Sequence, residues 1–259
     1  MGINYTGSNG EVTITVNDLC GITTASTTAY CTGTYNHNLV CCRNSELQKI
    51  NMRWLSEDSY KEPGLLFLIE EINDIFCNDP RSRIECVLAN TDYYEDVEWD
   101  NYAAVLLVTG FELPNKKHHA WNKPLIATVN QRGKIEDGAA RHVYEYVGDK
   151  DALGFYAGLT VHDTCGSWSS YPAHEFEVEA LCAPVKVYPE FSESFAYMTN
   201  PKYSWGLQIQ SPAYGERKVE VFKDRDILSV PLGAHYSAGS PGCRLAYVWA
   251  YSGAKAKEY

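Results

Sequence analysis

No stretch of this 259-residue chain approaches the roughly 18 consecutive apolar residues that a membrane-spanning helix requires. The opening Met-Gly-Ile-Asn-Tyr-Thr has neither a basic segment nor an apolar signal core, so a cytoplasmic protein is expected. Basic residues are scarce: 22 Lys and Arg stand against 33 Asp and Glu, a formal net charge of -11. That balance argues against nucleic acid, whose non-specific capture needs clustered Lys and Arg, and against anionic membrane surfaces. A small acid can still be met by a local basic pocket. There is no C-x-x-C pair among the nine cysteines, which speaks against a zinc ribbon or redox motif. An odd cysteine count without a secretory signal reads as reduced, mostly buried thiols. No glycine-rich phosphate loop precedes a helix, and Gly166-Ser167-Trp168 lacks the second glycine of a nucleophile elbow.

With 19 Tyr, 19 Gly and only 3 Met, the composition favours strands and turns over a helix bundle. Glu11 to Val16 alternates β-branched and polar residues, a strand signal. Gly64 to Phe76 has apolar residues at helical spacing (Leu65, Leu68, Ile69, Ile72), with Pro63 before it and Asn78-Asp79-Pro80 after it. The spacing predicts a helix there. Strand-length apolar runs follow at Ile84 to Ala89, Tyr102 to Val108 and Leu125 to Val129. Residues 1–130 therefore read as a mixed α/β region or a diverged β-barrel. The polar, glycine-punctuated stretch from Asn130 to Gly138 is a plausible boundary. Beyond it, short strands recur between turn signals, as in a sandwich or small barrel, so residues 131–259 form the second unit and the whole is mainly β. The pair His118-His119 and the acidic run Asp92 to Asp100 read as solvated surface.

One segment is specific: Gly166-Ser167-Trp168-Ser169-Ser170-Tyr171-Pro172-Ala173-His174-Glu175-Phe176-Glu177. It resembles the signature G-x-W-S-S-Y/F-P-P-H-K-H-D at the barrel mouth of the 5-deoxy-glucuronate isomerase family. Four more segments match in unbroken order between about Gly133 and Gly253. They are Gly138 to Val143, Glu193 to Tyr197, Asp226 to His235, and Pro241-Gly242 with Tyr247 to Gly253. The resemblance implies a cupin-type, jelly-roll-like barrel and a metal-dependent aldose–ketose isomerase acting on a deoxyuronic acid in inositol catabolism. It implies His174, Glu193 and His235 as metal ligands, for Zn, Mn, Fe or Ni. Gln208 stands at the family's pocket-facing Gln and Tyr247 on its closing strand; these two are the catalytic candidates. The family's second metal His is Phe176 here, and Phe coordinates nothing.

Two readings of the three ligands follow. They form a residual metal site, since three protein ligands plus water suffice for catalytic zinc, or they are remnants on a barrel kept for its shape, with no metal. The second reading makes the protein a structural or carbohydrate-binding component of a homo-oligomer or larger assembly, for instance a viral particle. Trp168 and Tyr171 are expected to pack in the core or at the rim.

Overall fold

The computed structural model describes residues 3–6, 11–16, 23–28, 38–42, 64–77, 79–89, 101–102, 104–109, 122–148, 155–174, 192–211, 217–230 and 234–252. These residues form three antiparallel sheets. The first contains β1 (Ile3–Thr6), β2 (Glu11–Val16), β3 (Thr23–Thr28), β4 (Asn38–Cys42), β5 (Gly64–Ile69), β6 (Ile84–Ala89) and β7 (Ala104–Thr109). Its seven strands run in the order β1-β2-β3-β4-β7-β5-β6. The second sheet has six strands: β8 (Thr128–Arg132), β9 (Arg141–Val147), β10 (Phe155–His162), β12 (Ser192–Asn200), β15 (Ile227–Val230) and β17 (Arg244–Ser252). Their spatial order is β15-β12-β17-β10-β9-β8. The third sheet is β11 (Trp168–His174), β16 (Ala234–Gly239), β13 (Trp205–Ser211) and β14 (Lys218–Lys223), in that order.

The six-stranded sheet is covered on both faces, and alternation along each strand assigns the residues. On one face Ala157, Leu159, Val161, Ala196, Met198, Ala246, Val248 and Ala250 join Leu65, Phe67, Ile69, Cys86 and Leu88 of the first sheet in one buried cluster. The Phe67 and Tyr146 rings meet edge to face at 5.5 Å. On the other face Tyr156, Phe195, Tyr197, Leu245, Tyr247 and Trp249 pack with Phe222 of the third sheet. Tyr197 and Phe222 lie parallel at 3.6 Å between centroids.

The helix expected over Gly64–Phe76 is a strand followed by a short 3-10 turn, Asn73–Phe76. The cause is burial on both faces: Leu65, Leu66, Phe67, Leu68 and Ile69 are each 0% exposed. A continuous apolar run satisfies helical spacing and a two-sided strand equally, and β5 has β6 and β7 to pair with on either edge. The described amino-terminal residues therefore agree with the all-β alternative and not with the mixed α/β one. Arg244 ties the 3-10 turn to the sheets: its guanidinium donates to the carbonyls of His162, at 2.6 Å, and Phe76.

The polar stretch after Asn130 closes a hairpin within the six-stranded sheet, with Arg132 opposite Arg141. Gly133 makes that turn: its φ is +68°, and a Cβ there would stand 2.1 Å from the Ala139 carbonyl oxygen. Gly158 serves differently. A Cβ on it would lie 2.5 Å from the Trp249 ring, so its bareness lets that indole lie flat on β10.

Candidate active site

Between the six- and four-stranded sheets the inward residues leave a cavity of about 710 Å³. Strand alternation builds its wall from every second residue: Arg141, Val143 and Glu145 from β9, Glu193 and Phe195 from β12, and Tyr247 and Trp249 from β17. Thr160, Ser169 and Ser170 add hydroxyls, and the hairpin turn adds Arg132, Lys134 and Asp137. The result is a polar chamber with an aromatic wall.

Of the five residues singled out from the sequence, Glu193 and His235 come together. Glu193 Oε2 and His235 Nε2 are 3.3 Å apart, and both side chains are buried. Glu193 Oε2 has no hydrogen-bond partner among the described residues. Burial pushes the Glu193 carboxyl up to about 8, because an ionised carboxylate loses its hydration there. His174 is described by its backbone alone; it is the register partner of His235 across β11 and β16. Phe176, Glu175 and Glu177 lie outside the described residues, as do His118, His119 and Asp92 to Asp100.

Tyr247 lines the cavity at 4% exposure, its hydroxyl bonded to Ser169 Oγ. Burial holds its ionisation above the usual phenol range, against the bond to Ser169. Gln208 is fully buried one layer behind the wall. Its Oε1 accepts from the Tyr197 hydroxyl and from Ser237 Oγ, the latter at 2.7 Å. Ser237 sits two residues from His235 on the same face of β16, so the Gln208 amide braces the strand that carries His235. Trp168 is 41% exposed and meets Tyr236 edge to face, so it packs at the rim.

Sequence reasoning missed Arg132, Lys134, Thr160 and Trp249 as wall residues. Thr160 carried a signal, a polar residue within an apolar strand. His162 carried the same one, and it lies buried beside Tyr247, ring to ring at 6.0 Å. Ser167 donates its only proton to the Thr164 carbonyl, so His162 Nδ1 must donate to Ser167 Oγ, at 2.7 Å. The bare Nε2 then has no partner among the described residues. Burial pushes the imidazole down to about 3, keeping it neutral.

The Glu193–His235 spacing fits joint coordination: two donors about 2.0–2.1 Å from a tetrahedral metal stand roughly 3.3 Å apart. Among the described residues no third His, Cys, Asp or Glu joins them. The pair thus fits half of a tetrahedral donor set.

The profile of the KduI/IolB family matches residues 93–259. The chain belongs to this family. Membership extends the resemblance well before Gly133, where the sequence motifs began. An IolB-like protein from Salmonella typhimurium LT2 superposes with a TM-score of 0.55 at 16% identity, covering 96% of this chain and 91% of its own. At that identity the likeness speaks for the fold alone. The Schizosaccharomyces pombe Cnp3 cupin domain matches 49% of this family member and 71% of its own length, at 12% identity and TM-score 0.31. No curated protein matches. Among the described residues no helix is long and apolar enough to cross a membrane, which says nothing of β-barrels.

Proposed function

We propose that the protein is a metal-dependent sugar-acid isomerase that interconverts 5-deoxy-glucuronate and its keto isomer. The observation that carries this reading is the buried Glu193–His235 pair, whose Glu193 lines a polar, aromatic-faced cavity, in a chain of the KduI/IolB family. Glu193, His235 and His174 would hold the divalent metal. When bound, it would supply polarisation of the sugar carbonyl and the neighbouring hydroxyl.

The remaining work falls to the chain itself. Thr160, Ser169 and Ser170 offer hydroxyls to the sugar's own. Phe195, Val143 and Trp249 cover the apolar face of a deoxy sugar and exclude water. Tyr247 presents a protonated hydroxyl held by Ser169, suited to passing a proton between neighbouring sugar oxygens. Gln208 is a positioning residue, acting through Ser237 and β16.

The test is turnover of 5-deoxy-glucuronate by protein loaded with Mn2+ or Zn2+, beside metal analysis of the purified protein. Ketone formation that a chelator abolishes is expected. Absence of both turnover and micromolar metal binding would overturn the reading.

A further inference from the structure

The cavity has a feature that a fold-preserving sequence would avoid. Arg132 and Arg141 are register partners at the closed end of the β8–β9 hairpin. Like charges directly opposite one another destabilise a sheet. Arg141 is moreover only 8% exposed. Burial lowers its ionisation range, and the Arg132 charge lowers it further. Lys134 enters the same wall from the turn, so three cations gather at one end of a chamber in a chain of net charge -11. Local features that cost stability concentrate at functional sites.

We propose that Arg132, Arg141 and Lys134 form an anion clamp that holds the carboxylate of the sugar acid and so sets which end of the substrate meets Glu193. The clamp rests on the isomerase reading for its substrate class, but not for its own chemistry. A carboxylate between the two guanidiniums relieves their repulsion and accepts their forked N–H donors in two parallel bonds. Arg141 is already oriented, because its Nη1 donates to the Ala139 carbonyl at 2.9 Å. The turn that places Lys134 and Arg132 is fixed by Gly133.

Two carboxylates share the wall with the clamp. Glu145 stands four residues from Arg141 on β9, roughly 13 Å along the strand, and it pairs in register with Thr128 rather than with Arg132. Asp137 lies in the exposed turn. Neither Arg132 nor Lys134 forms an ion pair with it among the described residues. At the other end of the chamber Glu193, 6% exposed, lines the same cavity with its Oε2 3.3 Å from His235 Nε2. Tyr247 lies within electrostatic reach of both Arg141 and Glu193, which links the two ends.

The experiment titrates D-glucuronate and D-glucose into the full chain, read by calorimetry and by tryptophan fluorescence, with and without chelator. Wild-type protein is expected to prefer the acid by at least about tenfold, with or without metal. Arg132→Gln changes an exposed residue and should fold. It is expected to weaken glucuronate about tenfold and leave glucose unchanged. Arg141→Lys keeps the charge but loses the fork, and is expected to weaken the acid as well. Equal binding of acid and neutral sugar, no binding of either, or an Arg132→Gln variant that binds glucuronate like wild type would each overturn the clamp. An Arg132-dependent preference in protein that does not turn over 5-deoxy-glucuronate would leave the clamp standing and remove the isomerase. Turnover without any acid preference would do the reverse.

Discussion

The two faces of the six-stranded sheet are built from the same strands and do opposite work. Toward the seven-stranded sheet, β10, β12 and β17 present Ala157, Leu159, Val161, Ala196, Met198, Ala246, Val248 and Ala250. Toward the four-stranded sheet the same strands present Thr160, His162, Glu193, Tyr197 and Tyr247, with the aromatic rings that separate them. The first face is small, aliphatic and dry. The second carries hydroxyl networks and, at Glu193 and His162, buried polar atoms with no hydrogen-bond partner among the described residues, and Gln208 of the facing sheet has another. Buried polar atoms without partners are costly, and most of them lie on the face that carries the cavity.

If the faces divide in this way, their variants must behave differently. The largest effect is expected on the dry face: Phe67→Ala should cost about 3–5 kcal/mol in urea unfolding. It should leave the sugar-acid preference of whatever protein remains folded unchanged. A change in preference would mean that the dry face also shapes the site.

On the wet face two groups pull in opposite directions: Glu193, raised to about 8, adds stability as pH falls from about 8 toward 4.5, and His162 removes it below about 6.5. The folded value of His162, about 3, lies below the ordinary value of 6.5. The unfolded chain therefore binds the extra proton first, and the His162 contribution to stability falls as pH drops below about 6.5, by up to about 1.4 kcal/mol per unit. His162→Gln should remove that contribution, so that in urea melts stability at pH 4 relative to pH 6.5 stands higher than in wild type; an unchanged difference would show that His162 is not the group responsible. Smaller again is Tyr197→Phe. It removes the hydroxyl shared with Gln208 and Ser237, and should cost about 1–3 kcal/mol.

The smallest effect has the opposite sign. Tyr146 is the exception on the dry face, since its hydroxyl is buried with no partner among the described residues. Burial raises its ionisation range. Tyr146→Phe should be neutral or stabilising by up to about 1 kcal/mol, because no hydrogen bond is lost and a desolvated group is removed. A loss of stability would reveal an unseen partner and blur the contrast between the faces.

Much of the second face was legible before any coordinates. The segment from Gly166 to His174 and the block from Asp226 to His235 carried the family likeness, and Glu193 and His235 do meet. What could not be read was which residues pack together across long stretches of chain. Arg132 looked like part of a boundary because a polar hairpin turn and a linker share composition. β5 looked helical because Leu65 to Ile69 is apolar at every position, and period is undefined in a run without polar residues. Gln208 was placed in the pocket by likeness, whereas its hydrogen bonds set it one layer behind the wall, bracing His235 through Ser237.

The claim that the wet face is an isomerase site turns on Glu193. The decisive measurement is kcat/KM for 5-deoxy-glucuronate in metal-loaded wild type and Glu193→Gln, with unfolding curves taken on the same samples. A fall of about 10²–10⁴-fold, at a stability no lower than wild type, is the predicted result. Turnover by the variant equal to that of wild type would contradict the account.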